Sequence, residues 1–284
     1  MQNIEDMEFY PAALTIAGSD SGGGAGIQAD LRTFNAFGIY GCSAITAVTS
    51  QNPSEVRRVD ALPAAAVRSQ IETVLDAIPV RIAKTGMLAN CEIAETVAEV
   101  VKKRSLPLIC DPVMVSTSGT ILLEKSAVSV LLEKLFPLAV WITPNIPEAE
   151  LITGKKLASR KELADAARYC YDRWGCNVIL KSGHAISGKA VTDVVCCDGK
   201  LYTLSSPTAK VSGKTTHGTG CTLSSALAAG LAFGMDWQQA LAEAKSFVFG
   251  SLCEAVHLSG SLAQMYPPSE DCLNRIRLES WKDK

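Results

Sequence analysis

Charge of neither sign is in excess: 27 Lys and Arg stand against 29 Asp and Glu, a formal net charge of −2. Without a global basic field to attract phosphate backbones, nucleic acid is not an expected partner. Long apolar runs are missing too. The longest, residues 223–235, is mostly small residues broken by two serines and Gly230. A bilayer span takes roughly 20 apolar residues, so no membrane association is expected. The N-terminal MQNIEDMEFYP carries acids where a secretory signal carries Lys or Arg, and no hydrophobic segment follows. None of the ten cysteines is spaced C-x-x-C; Cys196 and Cys197 are adjacent, and Cys42, Cys110 and Cys253 sit in apolar runs. Such thiols behave as small hydrophobes, and a reduced, cytoplasmic protein is expected. Repeats, low-complexity tracts and Pro/Ser linkers are also absent, so residues 1–284 read as one domain. A chain that is 48% hydrophobic and 20% charged is neither disordered nor disulfide-dense.

What is present is alternation. Apolar, strand-like runs at residues 12–17, 41–47, 80–84, 106–110, 138–142 and 177–181 are separated by helical stretches, among them 63–77, 91–103 and 160–174. Residues 191–197 and 200–205 then form two β-type runs joined by Asp198-Gly199, a hairpin signal. Two long helices follow, one after Gly220 and one from Trp237 to about His257. The pattern predicts an α/β fold: a central, mostly parallel sheet, helices on both faces and an antiparallel hairpin at one edge. Ligands in such folds bind beyond the carboxyl ends of the strands.

Two glycine motifs fall there. Gly18-Ser19-Asp20-Ser21-Gly22-Gly23-Gly24-Ala25-Gly26 lies between the first strand and a helix, and Asp30 follows one turn in. No Lys and Ser/Thr follow Gly23, so this is not a P-loop. Gly24-x-Gly26-x-x-Ala29 meets the degenerate dinucleotide pattern, but no acid follows near residues 44–51 to hold a ribose. A nicotinamide-dependent oxidoreductase is therefore a weak reading. Acids near helix starts are stabilised by the macrodipole in any case. The second motif, His217-Gly218-Thr219-Gly220-Cys221-Thr222, opens a helix of small residues. Glycines leading into a helix present N–H groups to an anion such as a phosphoryl group. In that first turn the dipole is expected to favour the Cys221 thiolate. Cys221 also reads as a small core residue, or, with His217 as base, as a hydrolase nucleophile lacking a third member. A non-catalytic metabolite-binding protein is the remaining reading.

Taken in order, AGSDSGGGAGIQADL, VTSQN, KTGML, DPVM, TPNIPEAE and THGTGCTLSSA resemble bacterial hydroxymethylpyrimidine/phosphomethylpyrimidine kinases of the ribokinase-like superfamily, which act in thiamine biosynthesis. The resemblance spans about residues 12–255 and leaves the tail, about 266–284, unassigned. It implies ATP as co-substrate, Mg²⁺, a small pyrimidine substrate and a homodimer. By resemblance Gln51 holds the pyrimidine, whose amine and ring nitrogen a primary amide can match. Asp30 contacts the substrate's polar edge, and Gly18, Met87 and Val113 line its pocket. Asn145-x-x-Glu148 resembles the element that organises Mg²⁺ and phosphates, although Asn before Pro147 and Glu148 also reads as a helix cap. Asp111 resembles a second acid of that region and Lys181 the lysine that approaches ATP. Lys214 and Thr216 reach over the phosphates, Gly218, Thr219 and Gly220 hold the transferring group, and Cys221 takes or relays the alcohol proton. Sugar kinases of the superfamily usually carry Asp at that position. Cysteine is shared with pyridoxal kinases, which makes pyridoxal kinase the competing activity.

Overall fold

Apolar residues alternate along the central strands, and alternate side chains enter opposite cores. The computed structural model describes residues 9–114, 125–183, 190–209, 217–260 and 262–282. The first half runs β1 (Ala12–Asp20), α1 (Gly26–Ala36), β2 (Tyr40–Asn52), β3 (Glu55–Ala61), α2 (Ala64–Ala77), β4 (Val80–Thr85), α3 (Cys91–Arg104) and β5 (Leu108–Cys110). It continues with α4 (Lys125–Val130), β6 (Ala139–Ile142), α5 (Ile146–Thr153), α6 (Arg160–Trp174), β7 (Asn177–Leu180), β8 (Ala190–Cys197) and β9 (Lys200–Pro207). The chain closes with α7 (Thr219–Phe233), α8 (Trp237–Cys253), β10 (Val256–Ser259), β11 (Leu262–Gln264) and β12 (Arg277–Ser280).

Ten strands form one sheet in the order β12-β9-β8-β7-β6-β5-β4-β1-β2-β3. The six strands from β2 through β1 to β7 pair in parallel; β3 at one side and β8, β9 and β12 at the other are antiparallel. Leu14, Ala83, Leu108, Ile142 and Val178 face one core with α2, α3 and α6, whereas Ala13, Ile82, Ile109, Trp141 and Ile179 face the other with α7 and α8. This is period-2 alternation with both faces covered. It also accounts for the adjacent cysteines: Cys196 enters the first core and Cys197 the second, both fully buried.

Two expectations need correction. The β8–β9 hairpin is not the sheet edge, because the tail returns as β12, with Leu278 opposite Leu204. The last helix stops at Cys253 instead of near His257, because His257 pairs with Ala263 in the β10–β11 ribbon. At the other edge β3 was not foreseen: EVRRVDA is charged and largely exposed, so it carries no apolar pattern.

The order of the strands places a reversal beside β1, which lies between β2 and β4. That is where an open α/β sheet leaves a crevice at its carboxyl ends.

Candidate active site

β1 and β2 run past the core and, after an irregularity between Ala17 and Ser19, pair Asp20 with Thr49. The glycine loop then folds around the Asp20 carboxylate. Oδ1 accepts from the Gly22 N–H at 2.9 Å, and Oδ2 from those of Gly24 and Ala25 at 3.1 and 2.9 Å. His217 Nε2 lies 3.0 Å from Oδ2 and 3.2 Å from the Gln51 amide nitrogen. Burial alone would raise the Asp20 pKa; the bonds from His217, Ala25 and Gly22 outweigh it and hold the carboxyl below its usual range. Ser21 Oγ fastens the Gln51 backbone by donating to its carbonyl at 2.8 Å and accepting from its N–H at 2.9 Å.

The second glycine motif lies directly on the first. Gly218 caps α7 at φ +84°, and a Cβ there would stand 1.9 Å from the Gly24 carbonyl oxygen, so only glycine fits. Gly218, the cap residue itself, has no side chain to offer this helix. Gly218, Thr219, Gly220 and Cys221 instead line a cleft of about 680 Å³ that also receives Gly18, Gln51, Met87, Val113, Asp111, Asn145, Glu148 and Lys181. The small residues behind the motif bring α7 against the sheet: Ser224 Oγ donates to Asp111 Oδ2 at 3.2 Å and Ser225 Oγ to Asp30 Oδ1 at 2.6 Å.

Asp111, just past β5, also accepts from Lys181 Nζ at 2.8 Å and Thr143 Oγ1 at 2.9 Å. Burial would raise its pKa, but the Lys181 and Lys84 ammoniums hold it below the usual carboxylate range. Glu148 goes the other way. Burial pushes its carboxyl up to about 7 against the opposing pull of Lys181, with the Asp111 charge adding to the rise. Burial works against the Lys181 ammonium, yet the two carboxylates raise its pKa and keep it charged. The helix-cap reading of Asn145-x-x-Glu148 is realised: Asn145 Oδ1 accepts from the Glu148 N–H at 2.9 Å, and Glu148 Oε2 from the Asn145 N–H at 2.8 Å. Both residues face the cleft all the same. Two carboxylates beside one lysine suit a hard cation that keeps most of its ligands as water and phosphate oxygens, as Mg²⁺ does. Among the described residues no group of three or more His, Cys, Asp or Glu could hold a metal by itself.

Two expectations are revised, and a third falls outside the described residues. Asp30 does not line the cleft. It is fully buried beneath it, accepting from Thr15 Oγ1 at 2.6 Å, from Ser225, and from Lys84 Nζ at 2.9 Å on both oxygens. A carboxylate with four such bonds serves the framework, not the substrate's edge. The Cys221 thiolate is not favoured: burial pushes the thiol up to about 11, Lys84 lowers it less, and Asp30 and Asp111 raise it further. The Gly26 N–H donates to its sulfur. Lys214 and Thr216 lie outside the described residues.

Sequence reasoning passed over Asp20, Lys84, Asp193 and Lys245, all on the cleft wall. Asp20 stood in the glycine loop and Lys84 opened KTGML, so both were visible. Asp193 and Lys245 lay in a hairpin and a helix with no motif to mark them.

The Phosphomethylpyrimidine kinase family profile matches residues 20–265. A hydroxymethylpyrimidine/phosphomethylpyrimidine kinase of Haemophilus influenzae is 43% identical over 256 residues, 89% of this chain and 94% of the relative. A thiamine biosynthesis bifunctional protein of Geobacter sulfurreducens is 43% identical over 85% of this chain, which spans about half of that protein's length (49%). Among solved structures, the pyridoxal kinase of Staphylococcus aureus in complex with AMP-PCP and pyridoxal superposes with a TM-score of 0.85 at 31% identity, covering 96% of this chain and 100% of that one. The sheet, its two helical layers and the cleft are thus ribokinase-like. No helix of the described residues is long and apolar enough to cross a membrane. With its profile matched over most of its length, the chain belongs to the phosphomethylpyrimidine kinase family.

Proposed function

We infer that the protein transfers the γ-phosphoryl group of ATP to the hydroxymethyl group of 4-amino-5-hydroxymethyl-2-methylpyrimidine and then to the resulting monophosphate. The observation that carries this reading is the meeting of the two glycine motifs. It puts Gln51, which suits an aminopyrimidine edge, and the glycine-rich start of α7 on one cleft with Asp111, Glu148 and Lys181. Identity of 43% to a relative named for the pyrimidine activity, against 31% to the pyridoxal kinase, supports the pyrimidine as acceptor.

In this reading Gln51, Gly18, Met87 and Val113 hold the acceptor. Its alcohol faces Cys221 and the N–H groups of the Gly218-to-Cys221 turn, which take the charge of the transferring phosphoryl group. Lys181 and Asn145 face the nucleotide. Glu148 and Asp111 would hold Mg²⁺, which supplies charge neutralisation to the phosphates. With its pKa near 11, Cys221 is a thiol at neutral pH and not a preformed base. It works as a relay: the sulfur takes the alcohol proton while its own S–H proton passes to a phosphoryl oxygen. Phosphoryl transfer is loose and tolerates such late deprotonation.

ADP release measured in parallel with the hydroxymethylpyrimidine, its monophosphate and pyridoxal tests the assignment. The two pyrimidines are expected to lead, and faster turnover of pyridoxal would reverse it. Cys221→Ala is expected to cut kcat by about 10²-fold or more, in the range of general acid–base contributions, with the KM for ATP little changed. Undiminished turnover removes the thiol from the reaction.

A further inference from the structure

Ser21 Oγ pins the backbone of Gln51 at both its carbonyl and its N–H, so the side-chain amide is what is left to turn. In the structure the amide oxygen faces Thr49 Oγ1 at 3.2 Å and the amide nitrogen faces His217 Nε2 at 3.2 Å. Both partners are already committed. Thr49 Oγ1 has one proton and donates it to the Ser19 carbonyl at 2.9 Å, a group that can only accept. The Thr49 oxygen therefore meets the amide oxygen as acceptor against acceptor. On the other side, Asp20 Oδ2 already accepts from the Gly24 and Ala25 N–H groups and has no proton to offer His217. Its 3.0 Å contact with Nε2 thus puts the hydrogen on the imidazole, which meets the amide nitrogen as donor against donor.

Turning the imidazole would aim a C–H at Asp20 and forfeit that bond. Turning the amide alone through half a circle resolves both contacts, because its nitrogen and oxygen are nearly equal in size. The nitrogen then donates to Thr49 Oγ1, and the oxygen shares the Nε2 hydrogen with Asp20 as a three-centre bond. This orientation has a consequence for the acceptor. In the pyrimidine the amino group lies between a ring nitrogen and the carbon that bears the hydroxymethyl. The amide oxygen accepts from the amino group, and the second amide N–H donates to the ring nitrogen. With the oxygen on the His217 side, the amino group and the neighbouring hydroxymethyl lie toward His217, which immediately precedes the Gly218-to-Cys221 turn. A reversed amide would turn the hydroxymethyl away from that turn.

We propose that His217, anchored on Asp20, and Thr49 are positioning residues that lock the Gln51 amide with its oxygen toward α7, so that the ring is held in the orientation that brings its hydroxymethyl to Cys221. The inference rests on the kinase reading above, which seats the pyrimidine at Gln51.

The 4-oxo analogue of the acceptor tests the lock, since it carries an oxygen where the amine donates and an N–H where the ring nitrogen accepts. Wild-type full chain should prefer the amino compound by about a hundredfold or more in kcat/KM, because a fixed amide sets like against like on the analogue. His217→Phe with Thr49→Val removes both anchors and keeps the bulk. In a folded double variant the freed amide suits either edge, and the preference should fall at least tenfold while the Kd for MgADP stays within twofold. His217→Gln, whose amide nitrogen has a hydrogen for Asp20 and another for Gln51, should stay within threefold of the wild-type preference. A double variant that loses rate equally on both acceptors, with the preference intact, shows a merely structural role and overturns the proposal.

Neutron diffraction from deuterium-exchanged wild-type crystals reads the lock without any variant. Deuterons are expected on the Gln51 amide atom beside Thr49 and on His217 Nε2, and deuterons on the amide atom beside His217 overturn the proposal. Wild-type protein that phosphorylates neither hydroxymethylpyrimidine nor its monophosphate takes down the kinase reading and this inference with it. Phosphorylation of the amino compound with no preference over the analogue takes down the inference alone.

Discussion

Cys221 lies between one cation that favours its thiolate and a set of influences that oppose it. The thiol's burial is the largest of these, Asp30 and Asp111 add to it, and Lys84 and the Gly26 N–H do not offset them. A helix dipole of roughly half a charge loses to desolvation of this size. Iodoacetamide labelling of Cys221, read by mass spectrometry, should therefore be slow at pH 7–8 and climb toward a midpoint near 11, since the thiolate forms only as pH rises through its raised pKa. Rapid labelling at pH 7 contradicts this. Lys84 and Asp30 are both fully buried and bonded to each other. Lys84→Met leaves Asp30 with no counter-charge, and a loss of about 3–5 kcal/mol is expected in urea denaturation. A loss under about 1 kcal/mol, the level of an exposed ion pair, would show that the pair contributes little. Which acid would be buried was not legible in the chain. Asp30 sits one turn into a helix and Asp20 in a glycine loop, and both positions suit a carboxylate. Only the arrival of Thr15, Lys84 and Ser225, distant in sequence, makes Asp30 a framework residue.

The same contrast appears among the elements. Strands covered on both faces, such as NVIL and LIC, were legible because burial forces an apolar run. The edge strands β3 and β12 were not, because a strand with little covered surface carries no such pattern. The glycine motifs were legible as candidate ligand sites, the second for an anion, but their contact with each other was not. Gly218 meets the Gly24 carbonyl only because β1 and α7, far apart in sequence, lie together. The contact leaves no room for a Cβ, and the backbone there is left-handed. Gly218→Ala should push the two motifs apart, lower the melting temperature by several degrees, and weaken MgADP binding by more than tenfold while far-UV circular dichroism stays native. Normal binding by this variant would mean that the register of the two motifs does not matter to the phosphate site.

At the scale of the molecule, one sheet separates two cores, and the cleft draws on both halves of the chain. β1, β2 and the loops after β4 and β5 supply one side; α5, the end of β7, α7 and α8 supply the other. A ligand seated there bridges segments from both halves of the chain, and it binds the folded state alone. Its stabilisation follows mass action, about 2.7 kcal/mol at a hundredfold excess over Kd. In the proposed orientation Asp111 and Glu148 would make the nucleotide's share depend on the cation, because phosphates beside two carboxylates are repelled unless a positive ion stands between them. MgADP is therefore expected to raise the melting temperature by several degrees, with ADP in excess EDTA giving a clearly smaller shift and Mg²⁺ alone little. Because Asp111 is already compensated by Lys181, Glu148→Gln should narrow the gap between the two ADP conditions without abolishing either shift. Equal shifts with and without Mg²⁺ in the unmodified protein would place the phosphates away from these carboxylates, and with them the whole orientation of the nucleotide.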